Sequence, residues 1–499
     1  MSTNRGHRGD HPQGSEDAEQ ASWLAIDFDH KVKFDHTAGK WHRWDGIRWK
    51  VDGKRDVQEA ATEFTYERMH GVVDKHELTK EQAAALIKIY RRLLEKGRLD
   101  SALVKLSELA AYKTDGSDWD QEPTLLGVAN GIVDLTTNRL IDHPGPGTNV
   151  TLSTGLPFTR PVGSSAEWPD RIPKTWKFLL EVTSYDEELA AFLLLWFGYS
   201  LFGLTQEPKF LVMTGHGRNG KGVLANLMRH VFGEYTAKAH ENLYMKHRFG
   251  AARADQARSD LMELKGKRLA IMSEPDGGAF DENLLKAHTG SDQPITARAL
   301  NSNNVLTWMP THTITFLTNL PPSVEDVGPS MTSRVMVADF REQWSWEGQC
   351  TEECGPEPHV TCRHPNKRLY DELKAESEDI LAVLIHAAYV WCRTPGGLVL
   401  PKRIIDASSE YVKANDPIGR ALDEAFTREP GAKAAGKALY DAYMDWFTRS
   451  EADGDPITAT RFGIALAKAG FKKVRGERGV VYEGIRPASA VEVAEREVA

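Results

Sequence analysis

The 499 residues are 41% hydrophobic and 27% charged, which excludes a disordered or fibrous chain and leaves room for about three or four domains. A net charge of −9 excludes a uniformly basic nucleic-acid binder but not one that works through local patches, of which 468–486 is one. No apolar run approaches membrane-spanning length and residues 1–20 are polar without a signal-peptide pattern, so a cytoplasmic location without a membrane partner is expected.

In chain order, residues 1–20 read as a disordered tail. Trp41, Trp44 and Trp49 flank the turn pair Asp45-Gly46 and read as the core of a small hairpin rather than as base-stacking platforms. A charged helical stretch runs from about Val57 to Leu109, followed by a turn-and-strand unit from Gly127 to Leu135. Residues 143–170 are rich in Pro, Gly and Ser and read as a linker, and helical spacing returns between Trp176 and Phe202.

The most specific feature comes next. Phe210 to Met213 reads as a buried strand, and Val223, Leu224, Leu227, Met228 and Val231 recur at helical spacing. Between them Gly215, His216, Gly217, Arg218, Asn219, Gly220 and Lys221 have the G-x-x-x-x-G-K spacing of a loop that wraps a polyphosphate. Backbone N–H groups and the helix N-terminus supply positive potential, and Lys221 reaches the outer phosphates. Residues 215–223 are therefore the expected nucleotide cradle, with ATP and Mg²⁺ as cofactors. Gly222 stands where a metal-ligating Ser or Thr is usual, so water or a nearby group such as Ser273 must fill that position.

Two further strands continue the pattern. The first, 268–272, ends at Ser273-Glu274, where a carboxylate polarises attacking water or holds Mg²⁺ through water. The second, 313–318, ends at Asn319, an amide able to sense a γ-phosphate. The three elements are each about fifty residues apart, and strands alternating with helices behind such a loop mean an α/β domain. Arg334, ahead of another apolar strand, suits an arginine finger acting in trans. Cys350, Cys354, Cys362 and His364 form a C-x₃-C-x₇-C-x-H set able to hold Zn²⁺, although the spacing is not a standard one. Residues 366–393 are helical in pattern.

Asp416-Pro417 opens a last small unit. Leu439, Tyr440, Tyr443, Trp446 and Phe447 make one helical face; Phe462, Ile464, Leu466 and Ala467 suggest a second helix capped by Thr458 or Thr460. A strand, basic turn and strand follow, carrying Lys472, Lys473, Arg475 and Arg478. Helices plus a basic hairpin are the parts of a winged helix, with one helix in the major groove and the wing on phosphates.

Together these residues resemble the superfamily three helicases, specifically the primase–helicases of satellite phages, actinophages and poxviruses. The string from Asp281 through Leu284-Leu285-Lys286, Thr289-Gly290-Ser291-Asp292 and Ile295-Thr296-Ala297-Arg298 is similar to that family's signature L-K-x-L-T-G-G-D-x-I-T-A-R. The resemblance spans most of the chain. It implies an AAA+-like P-loop ATPase core with an α+β N-terminal domain and a C-terminal winged helix. It also implies that Lys221 binds phosphate, Glu274 is the Walker B acid, Asn319 the sensor and Arg334 the finger. A hairpin between Arg298 and His312 would grip single-stranded DNA in the channel of a homo-oligomeric ring of hexamer type. Ser333 departs from the family, which often carries a second arginine there, and the cysteine-bearing loop is not a family feature.

The expected boundaries are a tail at 1–20, an N-terminal domain at 21–165, the ATPase at 170–345, the Cys-rich loop at 346–366, a helical segment at 367–415 and the winged helix at 416–490. The expected function is an ATP-dependent helicase moving on single-stranded DNA in phage or plasmid replication, in the cytoplasm of a bacterial host if phage-encoded. Its partners would be duplex DNA and a primase or polymerase. The alternative is an ATP-switched initiator that binds an origin without processive unwinding. Leu24 to Asp29 is also similar to the hydrophobic-D-x-D pattern of archaeo-eukaryotic-type primases, whose two carboxylates bind two metals.

Overall fold

The computed structural model describes residues 16–74, 78–95, 97–237, 239–246, 258–273, 278–298, 305–324, 328–344, 366–450, 456–476, 479–489 and 492. The chain begins with α1 (Asp17–Phe28), β1 (Val32–Asp35), β2 (Lys40–Trp44), β3 (Trp49–Val51), α2 (Asp56–Asp74), α3 (Lys80–Leu93), α4 (Arg98–Glu108) and β4 (Lys113–Thr114). The strands form a sheet in the order β3-β2-β1-β4. The helices bury Trp23, Leu24, Phe64, Tyr90 and Leu106 in a core of their own. Thr79 opens α3 with a capping box to Gln82, satisfying two otherwise orphaned backbone donors.

Trp44, Trp49 and Trp119 close into a separate buried cluster, with centroids 5.7 and 5.6 Å apart. Trp44 and Trp49 therefore pack as the hairpin core together with Trp119, whereas Trp41 is partly buried against Phe34 and the helical core. Asp27 and Asp29 end α1, with Asp29 in the left-handed C-cap. These are the two carboxylates read from the sequence as a metal-binding D-x-D pair. Among the described residues no group of three His, Cys, Asp or Glu is placed to hold one.

A meander of β5 (Leu125–Val128), β6 (Gly131–Asp134) and β7 (Arg139–Ile141) comes next. Residues 143–170 are largely irregular but are not a loose tether. Phe158, Val162 and Trp168 are buried in the same core as Leu126 and Val133 of the meander and Leu211 and Leu224 beyond. Proline and glycine set the backbone; the apolar side chains between them set the packing.

Then come α5 (Trp168–Arg171), α6 (Pro173–Val182) and α7 (Glu187–Tyr199), the last opened by the Asp186 side chain accepting from Leu189 N–H. The central layer is built from β8 (Phe210–Thr214), α8 (Lys221–Phe232), β9 (Thr236–Ala237), α9 (Ser259–Met262), β10 (Leu269–Ser273), α10 (Glu282–Thr289), β11 (Ile295–Arg298), β12 (Val305–Trp308), β13 (Thr313–Leu317), α11 (Pro329–Thr332) and β14 (Val335–Asp339). Five of these strands form one parallel sheet in the order β14-β8-β13-β10-β9. Its strands are apolar on both faces, as a sheet covered on both sides requires; Phe210, Leu211, Val212 and Met213 are all fully buried.

Helices α12 (Leu369–Lys374), α13 (Ser377–Arg393) and α14 (Lys402–Ala414) follow, then α15 (Pro417–Glu424), β15 (Phe426–Ala435), α16 (Gly436–Arg449), α17 (Ala459–Lys468), β16 (Lys472–Gly476) and β17 (Gly479–Pro487). The last three strands pair in the order β15-β17-β16 and enclose a core of Phe426, Leu439, Tyr443, Phe462 and Ile485. Thr458 caps α17. Ile464 does not join that core but is 54% exposed, because Phe462 and Leu466, four apart, already define the buried face. Among the described residues no helix is long and apolar enough to cross a membrane.

Candidate functional site

The sheet order brings the three widely spaced sequence elements to one edge. Strands β8, β13 and β10 are neighbours and parallel, so the loop after Thr214, Asn319 and Ser273 all follow C-terminal strand ends. In parallel α/β sheets such ends are where ligands bind, at the point where strand order reverses. Here β8 is that point, flanked by β13 and β14.

Two glycines make the loop sterically possible. Gly215 has φ +137°, and a Cβ there would sit 2.2 Å from the Phe340 carbonyl oxygen; Gly220 has φ +86°, and a Cβ would sit 2.5 Å from Val182 Cγ1. Gly217 and Gly222 face open space, so their missing side chains leave room rather than relieve a clash. Arg218, at the exposed tip with His216, also has a positive φ of 65°. The tip is pinned from outside, with Trp344 N–H donating to the Arg218 carbonyl at 2.9 Å. Asn219, 3% exposed, donates from Nδ2 to the Phe340 carbonyl at 3.3 Å and accepts from Lys221 N–H at 3.4 Å.

Lys221 begins α8 and is 6% exposed. Its ammonium donates to the Gly215 carbonyl and, at 3.1 Å, to Asn319 Oδ1. The lysine expected to bind phosphate and the amide expected to sense it are thus in direct contact across 98 residues of chain. Val223 follows them into the first turn of α8, whose opening N–H groups have no intrahelical acceptor.

Around this centre the placements differ. Glu274 lies outside the described residues, as do Cys350, Cys354, Cys362 and His364. Ser273 Oγ accepts from Arg229 Nη2 at 3.0 Å, and the same nitrogen reaches the Ile271 carbonyl at 3.1 Å. The Ser273 hydroxyl is thus already engaged by a guanidinium. Arg334 immediately precedes β14, whose Val335 is in register with Phe210. It therefore lies a strand length, roughly 16 Å, from the loop of its own chain. It donates to Thr289 Oγ1 at 3.2 Å and to the Ser330 carbonyl at 2.7 Å.

Arg298 ends β11, which pairs antiparallel with β12, so the two paired strands run from Ile295 to Trp308 and begin before Arg298. Val305 on its second strand is 60% exposed. Lys472, Lys473 and Arg475 project from β16 as exposed groups, and Arg478 falls outside the described residues. Sequence reasoning did not anticipate the loop's walls. Phe340 and Trp344 carry no motif, and Arg403 on α14 looks like any surface cation. Yet Arg403 donates to the Thr183 carbonyl and, at 2.8 Å, to the Asp339 carbonyl, joining the two segments that flank the loop. Burial lowers its pKa from the usual arginine value.

A buried polar cluster lies beneath the hairpin. The Tyr244 hydroxyl is 2.9 Å from both His288 Nδ1 and His312 Nε2. Burial depresses His288 to about 4 and His312 to about 3.

Residues 21–182 match the family described as D5 N terminal like. Two curated viral proteins, each named "Putative helicase", are related in sequence. One, of Acanthamoeba polyphaga mimivirus, is 22% identical over 373 residues, covering 73% of this chain and 37% of that protein. The other, of Frog virus 3 (isolate Goorha), is 24% identical over 264 residues, covering 50% of this chain and 26% of that protein. This chain thus spans only 37% and 26% of the lengths of these relatives. Among solved structures, the A form apo structure of the NrS-1 C terminal region aligns with TM-score 0.47 and 12% identity, covering 92% of this chain and 97% of that one. A second A-form structure of that region gives 0.48, 13%, 94% and 100%. The helicase resemblance read from the sequence holds in the family match and in the two viral relatives.

Proposed function

We propose that this chain is an ATP-driven motor of the helicase type that acts on DNA in a replication context. The observation that carries the reading is the contact of Lys221 with Asn319 and Gly215 at the switch-point edge of the sheet. A triphosphate offers the lysine stronger, charged acceptors than a carbonyl and an amide. Its binding would free Asn319 to orient the attacking water, and Glu274 would polarise that water. Residues 215–223 suit such a ligand because a Cβ at Gly217 or Gly222 would meet nothing within 4 Å, leaving room beside the backbone. Mg²⁺, when bound, would neutralise charge on the phosphates, held through water beside Gly222 and Glu274.

Arg334 lies too far to serve its own loop, which supports service to a neighbouring subunit's pocket in a homo-oligomeric ring. The hairpin of β11 and β12 would contact single-stranded DNA through Arg298. The terminal unit runs helix, strand, helix, helix, strand, strand, an order that supports a winged helix with Lys472, Lys473 and Arg475 on its basic hairpin. The test is ATP turnover by purified protein with and without single-stranded DNA. Stimulation is expected, with Lys221→Ala inactive. Arg334→Ala should lose about 10³-fold or more, partly rescued when mixed with Lys221→Ala subunits. DNA-independent turnover would remove the translocation reading.

A second reading, an initiator using ATP as an assembly switch, draws support from Gly222 and from the Arg229 guanidinium on Ser273, which both weaken metal holding. Turnover without duplex unwinding would select it. Zn²⁺ at Cys350, Cys354, Cys362 and His364 remains a separate proposal, checked by metal analysis of the purified protein.

A further inference from the structure

A cleft of about 720 Å³ opens between the core and the C-terminal unit, away from the nucleotide loop. One wall is α10, contributing Asn283 and Lys286, with Lys246 beside it. The other is α17, contributing Arg461, Ile464 and Lys468, with Arg428 from β15. Positions 461, 464, 465 and 468 follow i, i+3, i+4, i+7 spacing and form one helix face. Its opposite face, Phe462 and Leu466, is buried in the unit's own core. Ile464, 54% exposed, is thus an apolar residue presented to the cleft by a helix that does not need it for folding.

The charge of the cleft is asymmetric. Its three carboxylates are engaged in structure: Asp281 accepts from Leu284 N–H at 3.1 Å, Asp416 accepts from Gly419 N–H at 2.8 Å, and Glu282 pairs with Lys286 at 3.3 Å. The cations come from both walls, and Arg428 and Arg461 have no ion pair among the described residues. Arg428 instead lies 4.9 Å over the Phe471 ring.

We propose that this cleft binds a short stretch of single-stranded nucleic acid, with phosphates on Arg428, Arg461 and Lys468 and a base against Ile464. Cations on both walls around an apolar patch suit a backbone-and-base ligand. The volume lies in the range of enclosed ligand sites, roughly 300–1,000 Å³. That admits about one or two nucleotides. The site is separate from the exposed cations of β16. The inference rests on the nucleic-acid reading above and adds that the strand passes between α10 and α17.

The experiment is fluorescence anisotropy of a labelled short oligothymidylate with the full chain, without nucleotide, across a salt series. Arg461→Glu combined with Lys468→Glu should weaken binding about tenfold or more and flatten the salt slope by about 1.4, the value for two lost phosphate contacts on a single strand. A melting midpoint matching the parent protein establishes that the double variant folds. In parallel, a photo-crosslinking phenylalanine analogue at position 464 should attach to the oligothymidylate. Unchanged affinity and slope in the folded double variant would overturn the proposal, as would a crosslink formed only with duplex or only within the protein. ATP turnover of the same samples, measured before oligothymidylate is added, reports separately on the Lys221 pocket, so the two readings fail independently.

Discussion

The phosphate loop and the terminal basic hairpin are both candidate contacts for phosphate, yet they are built on opposite principles. At the loop the functional groups are buried and fixed by distant segments: Asn219 and Lys221 are 3% and 6% exposed, and Phe340 and Asn319 hold them from 121 and 98 residues away. On the hairpin Lys472, Lys473 and Arg475 are exposed cations on a locally paired strand. A buried site concentrates its effect in few groups, because each has no substitute and no solvent screening. An exposed one spreads a small effect over many.

That contrast predicts a ranking. Gly220→Val places a branched side chain at φ +86° where a Cβ already meets Val182. It should cost about 3 kcal/mol of stability and abolish nucleotide binding, read by calorimetric melting and by titration with a fluorescent ATP analogue. Retention of full nucleotide affinity would show that the loop is not fixed as described.

Acidification should destabilise the core next. His288 and His312 are held neutral by burial, at about 4 and about 3, below the unfolded value of about 6.5. Their contribution is complete above pH 6.5, because the unfolded chain takes up protons first, and is lost as pH falls from there toward 4 and below. Denaturant titrations at pH 7 and pH 5 should differ by on the order of 2 kcal/mol per histidine. Replacing both by Gln should remove most of the difference.

Lys473→Ala, on the exposed side of the comparison, should weaken duplex binding only a few-fold and reduce the salt slope by about 0.9. A loss of tenfold or more would mean that the hairpin is as concentrated a site as the loop. The smallest effect is expected at Gly222, where a side chain meets open space. Gly222→Ser would supply the missing hydroxyl and should lower the Mg²⁺ concentration needed for half-maximal turnover by about two- to fivefold.

What the sequence made legible was local or periodic. The strand–loop–helix around Lys221, the buried tryptophans of the N-terminal hairpin and the helices on either side of Thr458 all announce themselves through spacing and turn residues. What it hid was long-range. Phe426–Ala435 was not foreseen as a strand, since its Arg, Glu, Pro, Gly, Lys and Ala show no alternation; it is a strand because β17 pairs with it, across a register shift between Arg428 and Lys433. Residues 143–170 look like a tether by composition and pack into the core through a few scattered apolar side chains. Ile464 counts as core by hydropathy, but helix phase turns it outward. The backbone carbonyls of Phe340 and Gly215 that receive Asn219 and Lys221 have no side-chain signature at all.

Helix α14 gives one of these hidden contacts a mechanical meaning. Near its first turn Arg403 grips the backbone on both sides of the phosphate loop. Toward its far end the Tyr411 hydroxyl holds the Pro322 carbonyl and Asn415 accepts from Val324 N–H, just past Asn319. One residue later Asp416 caps α15. Thirteen residues of continuous helix make a rod about 20 Å long with no hinge along it. The Asp339 end of the sheet, the segment just past Asn319 and the start of the C-terminal unit are therefore all fastened to this one helix.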